Sequence, residues 1–436
     1  MSLIKRDKSI IWHPFTQEKT ADLPIAIKEG NGSYLFDEDG KQYLDLISSW
    51  WVNLHGHGHP KICDAIYDQA KKLEHVIFAG FTHEPAVHLC EKLQTILPKS
   101  LTKFFFSDNG STAVEVALKM AHQYWFNKGK TQRKLYLSFD GGYHGDTFGA
   151  MSVGKKSHFH DPFQSLLFDI ISIPFPDTWD NDLNLENKEE QALNFLSKQL
   201  SDKGSSISAI IFEPIMQGAS GMRMCRPEFI RKVIDCVKQY DILVIYDEVM
   251  TGFGRLGTYF AAEQIGIDPD FICISKGITG GFLPLSLTVT TKDIYNAFLD
   301  DNWNKAFAHG HSYTANPIAC SAAIASFDLL VGESTKKAMQ DINEVHKKGI
   351  MALNEQCPNL IKHSRCKGTI AAFDVNTNND LNKHLKREFF KNGLLLRPLD
   401  NTIYILPPYS VTVKELEDAY NVISNVVKQA YEEGYF

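Results

Sequence analysis

Two residues in the middle of this sequence could together do chemistry that neither does alone. Asp247 lies in Tyr246-Asp247-Glu248-Val249, directly after the apolar run Ile242-Leu243-Val244-Ile245. Lys276 follows Phe271-Ile272-Cys273-Ile274-Ser275 and precedes Gly277, Gly280 and Gly281. If each run is a buried strand, both side chains stand at carboxyl ends of strands, where open α/β sheets bind ligands. A carboxylate there can pair with a cationic heterocyclic nitrogen. A lysine among glycines can reach and condense with an aldehyde. This is the pair that pyridoxal 5'-phosphate requires. Its aldehyde takes the lysine, and the carboxylate keeps its pyridine nitrogen protonated, so the ring accepts electrons released from a breaking Cα–H bond. The freed lysine then serves as general base. Lys276 and Asp247 are therefore the expected catalytic pair.

A phosphate needs backbone donors and a positive helix end. Ser107-Asp108-Asn109-Gly110-Ser111 follows one apolar run and opens a helical pattern, so Gly110 and Ser111 are expected to bind phosphate. Taken alone, the motif could equally be a plain helix cap. Gly142-Tyr143-His144-Gly145 follows another run, and Tyr143 is placed to stack on a planar ring; alone, it could be an ordinary turn aromatic. Two other motifs point elsewhere. Gly252-Phe253-Gly254-Arg255-Leu256-Gly257 satisfies the dinucleotide pattern, but residues 247–251 separate it from the strand and no clear helix follows. His55-Gly56-His57-Gly58-His59 has three alternate histidines, but no cysteine or carboxylate at zinc spacing accompanies them, so no metal is expected.

Short branched or aromatic runs must position these residues. Strands are expected at 103–107, 135–139, 208–213, 242–246, 271–275 and 285–290, as a buried, mostly parallel sheet of an α/β domain. Helices are expected at 112–123, with Glu115 completing a capping box, and at 227–239, opened by Pro227. Residues 180–191 read as a polar loop leading into a helix. From about residue 326 the pattern changes: a long helix at 336–353, strands near 369–373 and 402–406, and a closing helix from Val413 suggest a small α+β lobe. The turn Asp37-Glu38-Asp39-Gly40 suggests an N-terminal hairpin that joins it. The expected division is residues 1–55 contributing to the small lobe, 56–325 forming the large cofactor-binding domain, and 326–436 forming the small α+β domain.

At 436 residues the chain exceeds one typical domain, and 44% hydrophobic residues with 22% charged residues fit a globular protein with a large core. A net charge of −7 argues against nucleic acid as the main partner. The eight cysteines form no C-x-x-C pair, which suggests free thiols in a reducing compartment. The N-terminal stretch has no apolar signal-peptide core, and no run approaches the length of a membrane span. A cytoplasmic enzyme without membrane or nucleic-acid partners is expected.

Glu213-Pro214, Tyr246 to Val249, Gly252 to Arg255, Ser275-Lys276-Gly277 and the paired glycines together resemble the class III aminotransferases, a family of fold type I, from about Ile11 to the end of the chain. One branch matches best, through Ile11-Trp12-His13-Pro14-Phe15-Thr16, Ser48-Ser49-Trp50-Trp51, the stretch from Gly142 to Ser152, Gln217 to Met222 and Leu396-Arg397-Pro398. Its members work in biotin synthesis, converting 8-amino-7-oxononanoate to 7,8-diaminononanoate by a ping-pong cycle, mostly with S-adenosylmethionine as donor.

The resemblance implies a large mixed sheet flanked by helices, a smaller α+β lobe, and a homodimer with shared active sites. It implies that Trp50 lines the substrate pocket, that Tyr143 also touches substrate, and that Arg397 binds a substrate carboxylate. Arg255 would help recognise the donor. Gly310, His311 and Ser312 would reach the site from the other subunit, Ser312 onto the phosphate. Many S-adenosylmethionine users have tyrosine in place of Phe15, contacting substrate, and proline and threonine in place of His311 and Ser312. Those positions look more like lysine-using members, whereas Trp50-Trp51 looks like the S-adenosylmethionine users. S-adenosylmethionine is the preferred reading and lysine the alternative; a different ω-amine aminotransferase is the nearest other enzyme.

Overall fold

Seven apolar runs form one sheet in the computed structural model of the chain, which describes residues 2–154, 158–375 and 379–435. The strands are β1 (Leu101–Ser107), β2 (Leu135–Phe139), β3 (Ile170–Ile173), β4 (Ile207–Phe212), β5 (Leu243–Asp247), β6 (Phe271–Ile274) and β7 (Ser286–Thr291). Their spatial order is β1-β7-β6-β5-β4-β2-β3. β7 runs antiparallel to both neighbours, and the other pairings are parallel. Every residue of β4 and β5 is buried, because helices cover both faces. The strand period of two divides the core. Val244 and Tyr246 pack in one cluster with Phe229 and Ile230 of helix Pro227–Lys238. Leu243 and Ile245 pack in another with Val114 and Ala117 of helix Gly110–Asn127.

All six expected strands form. Within this sheet, the four-residue strand β3 lies outside those six. Helix Gly110–Asn127 starts earlier than its sequence suggests, and its cap differs. Asn109 is the N-cap and pairs reciprocally with Thr112. Glu115 is not part of that box; its Oε1 accepts from the backbone N–H groups of Gly149 and Ala150, at 2.7 and 3.1 Å. The glutamate thus ties this helix to the segment that follows Tyr143 and His144.

Strands Tyr34–Asp37 and Gln42–Asp45 form the expected hairpin, and Gln42–Asp45 pairs in parallel with Leu394–Leu395. The chain's beginning is thereby joined to its C-terminal part. That part holds the antiparallel strands Ile361–Lys367, Ile370–Val375 and Thr402–Ile405, with helices Glu333–Gln356 and Val413–Glu432 packed together. Strand Ile361–Lys367 escaped sequence reading because it is polar and its register shifts at residues 362–365. No single helix among the described residues is long and apolar enough to cross a membrane.

Candidate active site

The strand-end residues converge on one cavity of about 430 Å³. Asp247, at the end of β5, is paired in parallel register with Cys273 of β6. Lys276 follows three positions later, in the turn beyond β6, with φ at 48°. That left-handed backbone is costly for a side-chain-bearing residue, and such strain gathers at functional sites. Lys276 Nζ lies 4.7 Å from the centre of the Trp51 ring, and no carboxylate pairs with it among the described residues. Burial lowers the Lys276 pKa; the nearby Asp247 and Glu213 oppose the shift, and Arg255 adds to it. The amine is thus biased toward its neutral, nucleophilic form.

Asp247 is 3% exposed and held from two sides. Its Oδ1 accepts from Val249 N–H at 3.1 Å, and its Oδ2 is 2.7 Å from His144 Nδ1. Among the described residues the buried His144 Nε2 has no partner. Sequence reading assigned a role in Gly142-Tyr143-His144-Gly145 only to the tyrosine. The histidine is the residue that touches the aspartate, and its position beside a strand-end turn was the available signal. Glu213, just beyond β4, was noted only as part of a motif. Its carboxylate accepts from the backbone N–H groups of Tyr143 and Gly218, both at 2.9 Å, and burial pushes its pKa up to about 7. It orients the loop carrying Tyr143 and His144. Tyr143 lines the cavity and donates to Asp146 Oδ2 at 2.9 Å; burial, and then the carboxylate of Asp146, raise its pKa.

Gly110 and Ser111 line the cavity at the start of an 18-residue helix. Space there is tight. A Cβ on Gly110 would stand 2.7 Å from Val249 Cγ1, and one on Gly145, whose φ is 125°, would overlap the Ser111 side chain. Small residues keep this helix end within reach of the cavity. A helix N-terminus at one side, a lysine biased toward neutrality and a buried carboxylate backed by a histidine are a donor set suited to pyridoxal 5'-phosphate.

Three of the expected substrate residues meet outside this cavity. The Phe15 and Trp50 rings are 5.7 Å apart, and the Arg397 guanidinium lies over Trp50 at 4.9 Å. Trp51, rather than Trp50, forms the cavity wall. Arg255 lies apart from these residues. It is 1% exposed, its Nη1 and Nη2 donate to the carbonyls of Pro407 and Asn53, each at 2.9 Å, and it does not line the cavity. It ties the backbone at Asn53 to that at Pro407. Gly310, His311 and Ser312 also line no part of their own chain's cavity. His311 Nδ1 is 3.7 Å from Asp108, and the Ser312 carbonyl accepts from His75 Nε2 at 2.6 Å. The segment from Gly252 to Gly257 is a set of turns, with Phe253 at φ 58°, and not a strand-to-helix phosphate loop.

Comparison with known proteins agrees with this geometry. Residues 15–427 match the family model described as aminotransferase class-III. The chain is 49% identical to the adenosylmethionine-8-amino-7-oxononanoate aminotransferase of Synechococcus elongatus, over 96% of this chain and 98% of that one. It is 40% identical to the enzyme of the same name from Helicobacter pylori, over 96% of each chain. Among solved structures, the adenosylmethionine-8-amino-7-oxononanoate aminotransferase of Methanocaldococcus jannaschii superposes with a TM-score of 0.90 at 34% identity, covering 98% of both chains.

Proposed function

Since the chain belongs to the class-III aminotransferase family, whose members depend on pyridoxal phosphate, we propose that it aminates 8-amino-7-oxononanoate to 7,8-diaminononanoate for biotin synthesis, taking the amino group from S-adenosylmethionine. The observation that carries the reading is the convergence of Lys276, Asp247 and the Gly110–Asn127 helix end on one cavity, in a chain so similar over its length to enzymes bearing that name. The same names support S-adenosylmethionine over lysine as donor.

When bound, pyridoxal phosphate supplies an electron sink for the carbanion left when a Cα–H bond breaks. The protein does the rest. Lys276 would anchor the cofactor aldehyde, and its amine, whose pKa burial lowers, would move the proton to and from the substrate carbon. Asp247 would hold a proton on the ring nitrogen, with His144 fixing the carboxylate's direction. Gly110 and Ser111 receive the phosphate. Tyr143, which lines the cavity, would pack against the ring. Arg397, with Phe15 and Trp50 beside it, binds the substrate carboxylate; a planar guanidinium supplies both charge and direction. Two copies associate, each lending Gly310, His311 and Ser312 to the other's site. In support, these residues line nothing in their own chain's cavity, and the neighbouring Trp303 and Tyr313 are 80% and 64% exposed.

The purified holoprotein, mixed separately with S-adenosylmethionine and with lysine, tests this. Loss of the visible cofactor band with S-adenosylmethionine, and its return on adding 8-amino-7-oxononanoate, is the expected result. Conversion by lysine alone would move the donor, and conversion only by other ω-amines would overturn the substrate assignment. Arg397→Ala is expected to raise KM for the keto acid by roughly 30-fold, the scale of a charge-assisted hydrogen bond, with kcat less affected. Steady-state kinetics with each substrate varied checks it.

A further inference from the structure

The two adjacent tryptophans face different functional groups: Trp51 lies under Lys276, and Trp50 lies under Arg397. Neighbouring side chains can serve two sites only if the backbone between them is sharply turned. It is. Ser48, Ser49 and Trp51 have φ of 50°, 60° and 65°, and Ser49 has ψ of −88°. Three left-handed residues within four, none of them glycine, do not persist unless their surroundings hold them.

The principal holder is Asp45, at the end of strand Gln42–Asp45 and fully buried. Its Oδ1 accepts from Ile47 N–H at 3.2 Å. Its Oδ2 accepts from Ser49 N–H at 2.7 Å and from the Ser49 hydroxyl at 3.2 Å. The same oxygen lies 3.0 Å from His57 Nε2. His57 belongs to the alternating-histidine stretch whose role the sequence left open. The far side of the turn is held by the Ser48 hydroxyl, which donates to the Leu406 carbonyl at 2.8 Å, and by Trp51 Nε1, which donates to the Tyr404 hydroxyl at 3.1 Å. Without the carboxylate, Ser49 has no acceptor for its backbone N–H, and the turn relaxes toward ordinary angles, swinging both indoles.

We propose that Asp45, braced by His57, is a positioning residue that holds the Ser48–Trp51 turn so that one indole packs on the catalytic amine and the next on the carboxylate-binding arginine. This rests on the roles proposed above for Lys276 and Arg397. Asparagine is not a substitute at this position, because its amide N–H₂ would face the Ser49 N–H or the Ile47 N–H.

The test is Asp45→Ala in the full-length protein, with two readouts. Hydrogen exchange of the cofactor-free protein should show faster exchange in peptides covering residues 46–53, while peptides from β4 and β5 keep the parent's protection. With the cofactor restored, KM for the keto acid should rise and kcat should fall, each on the order of 10-fold, since the turn serves both ends. His57→Gln, which leaves the Ser49 contacts in place, should give the same changes at smaller amplitude, and it decides the matter if Asp45→Ala does not fold. Unchanged exchange at 46–53, or parent-like kinetics in both variants, would overturn the proposal. If the parent itself fails to use 8-amino-7-oxononanoate, the substrate assignment fails; the positioning role is then judged by the exchange data and by kinetics on whichever amine the parent accepts.

Discussion

Lys276→Ala should lower turnover by at least about 10⁴-fold, the upper end of what a positioned general base contributes. The change removes from the cavity the group proposed as both cofactor anchor and proton carrier. No other lysine lines that cavity, so none is placed to replace it. Folding should survive, because Lys276 pairs with no carboxylate among the described residues and its neighbours Gly277 and Ile278 keep their packing against Leu54 and the core. The strained φ of 48° is less costly for a smaller side chain only in part, so unfolding should shift little in either direction. Single-turnover kinetics and thermal unfolding, measured on the same preparation, separate lost chemistry from lost structure. A variant that retains a tenth of the parent rate would remove Lys276 from the mechanism.

Asp247→Asn should have the next largest effect, on the order of 10³-fold in kcat. The amide keeps the shape but loses the charge that holds a proton on a ring nitrogen. It also meets His144 differently, because Asp247 Oδ2 now accepts from His144 Nδ1 at 2.7 Å, and an amide nitrogen there would force the other tautomer or turn the side chain over. Cofactor should still bind, since the anchor lysine and the helix end are untouched. His144→Asn should fall between the parent and this variant. The reading fails if Asp247→Asn keeps parent kcat and loses only cofactor affinity.

The meeting of Asp247 and Lys276 at one cavity was legible in the sequence because strand ends can be read from apolar runs, and each run here ends on a chemically distinctive residue. Asp247 and Lys276 needed only the rule that ligands meet parallel sheets at their carboxyl ends. His144 and Glu213 were harder. Their roles lie in contacts across the sheet, to Asp247 and to the Tyr143 N–H, and no local spacing encodes a partner that distant. Arg255 was singled out only through the resemblance, and its contacts with the carbonyls of Pro407 and Asn53 join residues far apart in the chain, which no local spacing encodes. The same holds for the cap of helix Gly110–Asn127. Asn109 and Thr112 competed for the role that spacing gave to Glu115, and tertiary contact with Gly149 and Ala150 drew the glutamate away. Trp50 and Trp51 were read as a pair, yet a turn with three left-handed residues sends them to different places, and no propensity forecasts such a turn.

The most direct test of the account is chemical trapping of the cofactor. The holoprotein is reduced with borohydride, digested, and its peptides sequenced by mass spectrometry. The phosphopyridoxyl group should be found on Lys276 alone, and prior incubation with the amino donor should abolish the labelling. A label on another lysine, or none on a protein that still transaminates, would contradict the placement of the active site in this cavity.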